Sequence, residues 1–454
     1  MHPTMHLLVA IATALAVCII PPAQAAKEVF AHFLVGNANA FTLADWQHDM
    51  QLAKSASIDG FSLNIAAKDP NNGPSLAKAF QAADSLAAGP FKLFLSFDYA
   101  AQGAWPKDQV ISLIKQYAPH ASYFKPNGAG KPLVTTFEGS SSAVDWPGIK
   151  AATGCFFIPE WTSIGPSAAA TAANNVADGL ASWNAWPDGP TNMTTAPDSA
   201  FRAALGSKKP YMMPVSPWFY TNLPAFNKNW LWRGDQLWDT RWRQIIALQP
   251  DFVQILTWND LGESHYIGPI RAAPPSGPAT ALFAAAGAPL NYALQNPHDG
   301  WRALLPFYIQ QYKTGGRDVK ITQEKLVVYY RVNPARACAA AGTTGNNPAF
   351  GQTAFPPDRM VADRVFYAAL LGAPADVSVS IGGMVYKGSA LLSLSAGGAS
   401  GVYTGSVSFS GRLGAVVVTV SRGGKKIAQV KGPGITTSCQ NGVENWNAVA
   451  LSAP

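Results

Sequence analysis

Between residues 29 and 318, eight short apolar runs alternate with amphipathic segments, and this alternation restricts the possible folds more than any other feature. The runs are VFAHFLV (29–35), GFSLNIA (60–66), KLFLSFD (92–98), PLVTTFE (132–138), CFFIPEW (155–161), VADGLASW (176–183), PYMMPVS (210–216) and FVQILTW (252–258). They are mostly continuous rather than alternating, the pattern of strands covered on both faces in a parallel sheet. Helical spacing marks 43–56, 75–87, 107–118, 235–249 and 300–313. Eight such units in this length predict a (β/α)8 TIM-type barrel over 26–319. The competing doubly wound sheet needs a phosphate-binding turn after a strand, and none is present; Gly128-Ala129-Gly130-Lys131 runs into Pro132 and opens no helix. After about residue 320 the pattern becomes EKLVVYYRV, ADVSVSIGG, GVYTGSVSFSG and AVVVTVSRGG, alternating strands punctuated by glycine. This predicts a C-terminal β-sandwich accessory domain over 320–454.

Residues 6–20 form an apolar run that leads into PPAQA, the small-residue pattern of a secretory signal peptide over 1–25, so a secreted, extracellular protein is expected. No later stretch reaches 18 apolar residues, and no membrane span is expected. Cleavage leaves Cys155, Cys338 and Cys439. A Cys338–Cys439 bridge would close a loop of about 100 residues, worth roughly 4.7 kcal/mol in the chain-entropy model, and these two are expected to pair. Cys155 opens an apolar run and reads as a small buried hydrophobe. Asn192-Met193-Thr194 is the single N-glycosylation sequon. The net charge of +7 is spread without basic runs, which argues against a nucleic-acid partner, and a monomer is expected.

Metal and cofactor chemistry have no sequence support, because the seven histidines show no HExxH or HxH spacing. No G-x-S-x-G elbow is present, and Cys155 lies at the wrong end of its strand for barrel chemistry. Barrel enzymes work at the C-terminal ends of their strands, and there the chain places Asp69, Asp98, Glu138, Glu160-Trp161, Trp183-Asn184, Trp218-Phe219-Tyr220 and Trp258-Asn259-Asp260, followed by Glu263, His265 and Tyr266. Nine of the fourteen tryptophans fall between 161 and 258, so aromatic faces accompany the carboxylates, as a site that stacks sugars and protonates a glycosidic oxygen requires. Glu138 and Glu160 also read as caps or partners of a nearby base. Asp260 and Glu263 have the spacing of a capping-box variant, and Trp238 with Trp242, four apart, reads as core. Trp161, Trp218 and Trp258, with Tyr220 and Tyr266, are expected to line a cleft.

The segments AHFLVGN (31–37), IDGFSLNIA (58–66), LFLSFD (93–98), FFIPEW (156–161), SPWFY (216–220), TWNDLGESHYIGP (257–269), HDGWRALLPFYIQQYK (298–313) and VVYYRVNP (327–334) resemble the fungal α-1,3-glucanases, or mutanases, of glycoside hydrolase family 71. The resemblance implies endo-type hydrolysis of the polysaccharide α-1,3-glucan with inversion at the anomeric carbon. It makes Asp260 and Glu263 the carboxylate pair and matches Asp69 to an acidic position after strand 2. Asp98, Trp161, Trp218, Tyr220, Trp258, Asn259, His265 and Tyr266 are expected to contact sugar. Glu263, with the longer side chain, is read as general acid and Asp260 as base, with the swapped assignment left open, their side chains diverging to about 6.5–9.5 Å as inversion requires. A non-catalytic glucan-binding wall protein and a hydrolase of another α-glucan specificity are the alternatives.

Overall fold

The computed structural model describes residues 27–454 except 87, 88, 90, 127–129, 272–277, 318, 389 and 396–399, so the expected signal peptide lies outside the described residues. Eight parallel strands close a barrel: β1 (Glu28–Leu34), β2 (Gly60–Ala66), β3 (Lys92–Asp98), β4 (Leu133–Phe137), β5 (Phe156–Glu160), β6 (Leu180–Ala181), β7 (Tyr211–Val215) and, after a hairpin described below, β10 (Phe252–Ile255). Their order around the barrel is β1-β10-β7-β6-β5-β4-β3-β2. The helices outside are α1 (Leu43–Ser55), α2 (Asn72–Asp84), α3 (Lys107–Tyr117), α4 (Trp146–Thr153), α5 (Pro166–Ala172), α6 (Ala196–Leu205), α7 (Leu237–Leu248), α8 (Pro278–Ala285) and α9 (Leu305–Lys313). Thr42 and Asp45 start α1 with a reciprocal capping box.

Each expected run contributes one strand, but 176–183 contributes only two residues. Its first half belongs to the turn that follows α5, where the amides of Val176 and Ala177 both bond to the Ala173 carbonyl. Asp178 then turns to accept Phe157 N at 2.8 Å and Lys150 Nζ at 2.8 Å, which anchors the strand's entry. Inside the barrel, Phe30 meets Phe94 at 4.9 Å and Phe124 at 4.8 Å, filling the lower end with rings. Because side chains alternate along a strand, stepping by two from Phe30 and Phe94 puts His32, Ser96 and Asp98 on the same inner side, nearer the mouth.

Between β7 and α7 the chain adds a hairpin, β8 (Tyr220–Leu223) and β9 (Lys228–Leu231), which sequence reading left unassigned. The turn joining them ends on Asn227, whose φ of 52° is a conformation asparagine tolerates better than most residues.

The C-terminal strands are β11 (Lys325–Arg331), β12 (Thr344–Gly345), β13 (Arg364–Leu371), β14 (Asp376–Ile381), β15 (Met384–Gly388), β16 (Ala390–Ser395), β17 (Gly401–Ser408), β18 (Gly414–Arg422), β19 (Lys425–Ile435) and β20 (Ala448–Ala453). Two antiparallel sheets, β16-β17-β13-β11-β20 and β15-β14-β18-β19, face each other over Val328, Tyr367, Val379 and Val418. The opposite side of the first sheet, with Val327, Tyr329, Phe366 and Ala368, joins the barrel core. Tyr329 stacks on Phe366 and meets Trp301 at 5.8 Å, so alternation along β11 serves two cores at once. Cys338 and Cys439 form the expected disulfide, and Cys155 is a buried free thiol. Among the described residues, no helix is long and apolar enough to cross a membrane.

Candidate active site

Beyond β10 the chain folds back over the barrel mouth: Thr257 N bonds to His265 O at 2.8 Å and Ile267 N to Thr257 O at 2.9 Å, closing the loop 257–267. Inside it, Asp260 N donates to Thr257 Oγ1 at 3.0 Å and Glu263 N to Asp260 Oδ1 at 3.0 Å. The capping-type spacing is therefore real, and it sets two carboxyl groups side by side. Asn259 ties the loop to the end of β1, accepting Leu34 N at 2.8 Å and donating to Leu34 O at 3.0 Å. This backbone pairing gives Asn259 a positioning role in the loop.

His265 is fully buried, with Nδ1 3.1 Å from Thr257 Oγ1 and Nε2 2.9 Å from Glu263 Oε2. An ionised carboxylate only accepts, so Nε2 carries the proton toward Glu263 and the Thr257 hydroxyl can donate to Nδ1. Lys228, at the start of β9, places Nζ 2.6 Å from Glu263 Oε1. Burial alone would push the Glu263 carboxyl up, but the Lys228 ammonium and His265 outweigh it and hold Glu263 well below the usual carboxylate range. Asp260 moves the other way: burial and the negative charge of Glu263 raise it. Lys228 is itself raised, chiefly by Glu263.

Two expectations change here. The side chains of Asp260 and Glu263 do not diverge; both turn toward His265 Nε2, at 3.9 Å and 2.9 Å, and an oxygen of each lies within 4.8 Å of the other. The shared histidine draws them together. The electrostatics of the two also differ, with Glu263 the carboxyl that its neighbours favour as the anion, the opposite of the order read from side-chain length.

Asp98 stands at the inner end of β3, its Oδ1 accepting Ala100 N and Ala101 N at 2.8 Å each, and burial raises its carboxyl against those bonds. Asp69 is in the loop after β2, its Oδ1 held by Asn71 N at 2.8 Å; its other oxygen would lie 2.9 Å from a Cβ placed on Gly36. Gly36 neighbours Asn37, which donates to Asn259 O at 3.1 Å, so Asp69 joins the rim beside the loop 257–267. Glu138 and Glu160 serve the turn after β5: Glu138 accepts Ser163 Oγ at 2.6 Å, and Glu160 accepts Thr162 N at 2.8 Å. Burial and the neighbouring Glu138 push Glu160 up to about 8.

The aromatic expectation fails. Trp161, Trp218, Tyr220, Trp258 and Tyr266 are all at most 2% exposed and line no open cleft. Each ring turns into the protein, and the polar atoms of Trp161, Trp218, Trp258 and Tyr266 find internal partners. Trp161 Nε1 donates to Glu138 O at 3.1 Å, Trp258 Nε1 to Asp49 Oδ2 at 3.0 Å and Trp218 Nε1 to Trp446 O at 3.0 Å. Tyr266 stacks on His298 at 3.9 Å and donates to Asn296 O, while Tyr220 packs on Tyr292 at 4.7 Å. Glycine makes room for two of them: a Cβ on Gly234 would sit 2.1 Å from the Trp218 ring, and one on Gly268 2.7 Å from Trp258 Nε1.

The partly exposed rings at the mouth are Trp183, read from the sequence only as a strand-end residue, and Trp186 and Trp232, which sequence reading did not select. Trp183, beyond β6, contacts His32 at 4.9 Å and Phe137 at 4.8 Å, across the barrel opening. Trp186 stacks on Trp232 at 5.1 Å and lies 5.4 Å from His265, while buried Phe219 supports both His265 and Trp232. Lys228 was missed as well. The available signal was the alternation around Pro224–Asn227, which marks a hairpin and so brings Lys228 and Trp232 back to the mouth.

A (β/α)8 barrel with paired carboxyls of opposed electrostatic environment beside aromatic platforms at its C-terminal mouth has the layout of a glycoside hydrolase. The model of glycosyl hydrolase family 71 matches residues 25–454, and the chain belongs to that family. A mutanase of Penicillium rubens is 36% identical over 364 residues, covering 78% of this chain and 75% of its own. A glucan endo-1,3-alpha-glucosidase of Schizosaccharomyces pombe is 36% identical over 375 residues, covering 79% and 81%. Among solved structures, an endo-alpha-mannosidase of family 99 from Bacteroides thetaiotaomicron aligns with 63% of this chain and 98% of its own, at 11% identity and a TM-score of 0.47.

Proposed function

We propose that this protein is a secreted endo-α-1,3-glucanase that inverts the anomeric carbon, with Asp260 as general acid and Glu263 as general base. The activities named for the Penicillium and Schizosaccharomyces relatives support the substrate. The observation that carries the roles is the clamp on Glu263: Lys228 and His265 keep it ionised, while Asp260 is pushed up. Two carboxyls with environments pushed apart divide acid from base. A sugar entering between them would separate the pair from its shared histidine and leave a water on the Glu263 side. Asp69 and Asp98 then hold sugar hydroxyls, and residues 26–319 act as the catalytic barrel with 320–454 as its accessory domain.

NMR of fresh product is expected to show the β-anomer first; the α-anomer first would overturn inversion. Trp232 and Trp186 form the sugar platform in this reading. Aromatic stacking of nucleic-acid bases is worth about 1–3 kcal/mol per base, and the same order is expected for a sugar face. Trp232→Ala should therefore weaken glucan binding about ten-fold or more in a pull-down titration while keeping the wild-type melt. Trp258→Ala, cut from the core, should instead lose about 3–5 kcal/mol in denaturant unfolding.

A further inference from the structure

The hairpin that delivers Lys228 is not complete within the barrel. A two-stranded hairpin is marginal alone, and a third strand is what steadies it. Here the third strand comes from the C-terminal part: β12 pairs in parallel with β9, Thr344 opposite Trp230 and Gly345 opposite Leu231. Side chains reinforce the pairing. Thr343 Oγ1 donates to Asn229 Oδ1 at 2.6 Å, and Asn229 Nδ2 donates to Ala341 O at 2.7 Å, one residue from Lys228. Gln352 Oε1 accepts Trp232 Nε1 at 3.2 Å and Asn347 N at 2.8 Å.

Asn346 is the knot. It is fully buried, and its N–H bonds to Leu231 O at 2.9 Å. Its Oδ1 accepts Gly189 N at 2.9 Å, and its Nδ2 donates to Asp188 Oδ1 at 2.8 Å and Thr353 O at 2.9 Å. One residue, bonded to β9 through its backbone and to the loop that carries Trp186 through its side chain, thus joins the two. Its φ of 65° is left-handed, which asparagine accommodates and most residues do not.

We infer that the segment 341–352 belongs to the catalytic centre, positioning Lys228 and Trp232 through Thr343, Asn346 and Gln352. The inference rests on the hydrolase reading of the site but is tested separately from it. Glu263 is faced by Lys228 from β9, by Asp260 and His265 from its own loop and by His32 from β1, and Lys228 is also faced by Asp98 from β3. Among these, Lys228 is the group that the segment holds. If it loosens, Glu263 loses its cation and titrates at higher pH.

Two variants test this. Asn346→Gly removes the side chain and keeps the left-handed backbone available; Thr343→Val removes the hydroxyl at nearly constant volume, with Thr343→Ser as the rescue. The protein has six glutamates, so carbon-13 labelling of their carboxyls with Glu263→Gln as the assignment control gives a readable titration. Glu263 should titrate at higher pH in Asn346→Gly and Thr343→Val than in the wild type and Thr343→Ser. The acid limb of kcat/KM on α-1,3-gluco-oligosaccharides should move up with it, and kcat/KM should fall at least ten-fold at acidic pH. An unmoved Glu263 titration in folded Asn346→Gly and Thr343→Val overturns the inference; if Asn346→Gly does not fold, the Thr343→Val and Thr343→Ser pair decides. A wild-type protein that cleaves no α-glucan sinks the hydrolase reading alone, because the titration needs no substrate.

Discussion

Glu263→Gln and Asp260→Asn are each expected to lower turnover by about 10²–10⁴-fold, the range that a positioned acid or base contributes, with little change in melting. Their pH profiles should differ in kind. In the proposed roles, Lys228 and His265 hold the Glu263 carboxyl below the usual carboxylate range, so the base keeps its charge as pH falls through that range. Asp260 must keep its proton to act as acid, and its raised carboxyl sets the alkaline limb of kcat/KM. Activity should therefore be greatest at acidic pH and fall as pH rises through the Asp260 titration. Asp260→Asn should abolish that limb along with most of the rate. Azide restoring turnover to Glu263→Gln as the β-glycosyl azide, the same configuration as the wild-type product, would identify the base directly, because azide attacks from the water's side and needs no base. Full activity in either variant would remove that residue from the mechanism.

The largest stability effect is expected at Arg241. It and Asp198 are both fully buried, joined by Nη1 to Oδ2 at 2.8 Å and Nη2 to Oδ1 at 3.2 Å. Arg241 also donates to Pro214 O at 2.7 Å, and Asp198 accepts Tyr211 Oη at 2.9 Å, so α6, α7 and β7 share one polar knot. Removing one partner of such a pair strands a buried charge, which costs about 3–5 kcal/mol. Arg241→Met should lose about that much in equilibrium unfolding. Asp198→Leu combined with Arg241→Met should recover a large part of it, because neither charge is then left alone. A single mutant as stable as the wild type would show that water reaches Asp198.

The barrel was legible because its eight strands are short, apolar and regularly spaced; even the weakest, VADGLASW, left two residues in the sheet. The carboxyl pair was legible from a single run, since the turn that caps Glu263 with Asp260 is local. The aromatic wall was not. A strand-end tryptophan can turn outward against a helix or inward over the mouth, and partners far along the chain decide: Asp49 for Trp258, Trp446 for Trp218. The hairpin that carries Lys228 leaves a local signal, but the lysine's pairing with Glu263 does not. Its partner is 35 residues away and its support 112 or more, and no spacing rule connects them.

The Asn259 clasp on Leu34 joins positions 225 residues apart, at the seam where the first and last barrel strands meet. A nascent or partly folded chain that has not closed this seam holds its two carboxyls on an untethered loop. In the proposed reading, hydrolytic competence is therefore expected only once the ring has closed. Proteolytic nicks that open the seam should silence the site before they unravel the rest of the barrel.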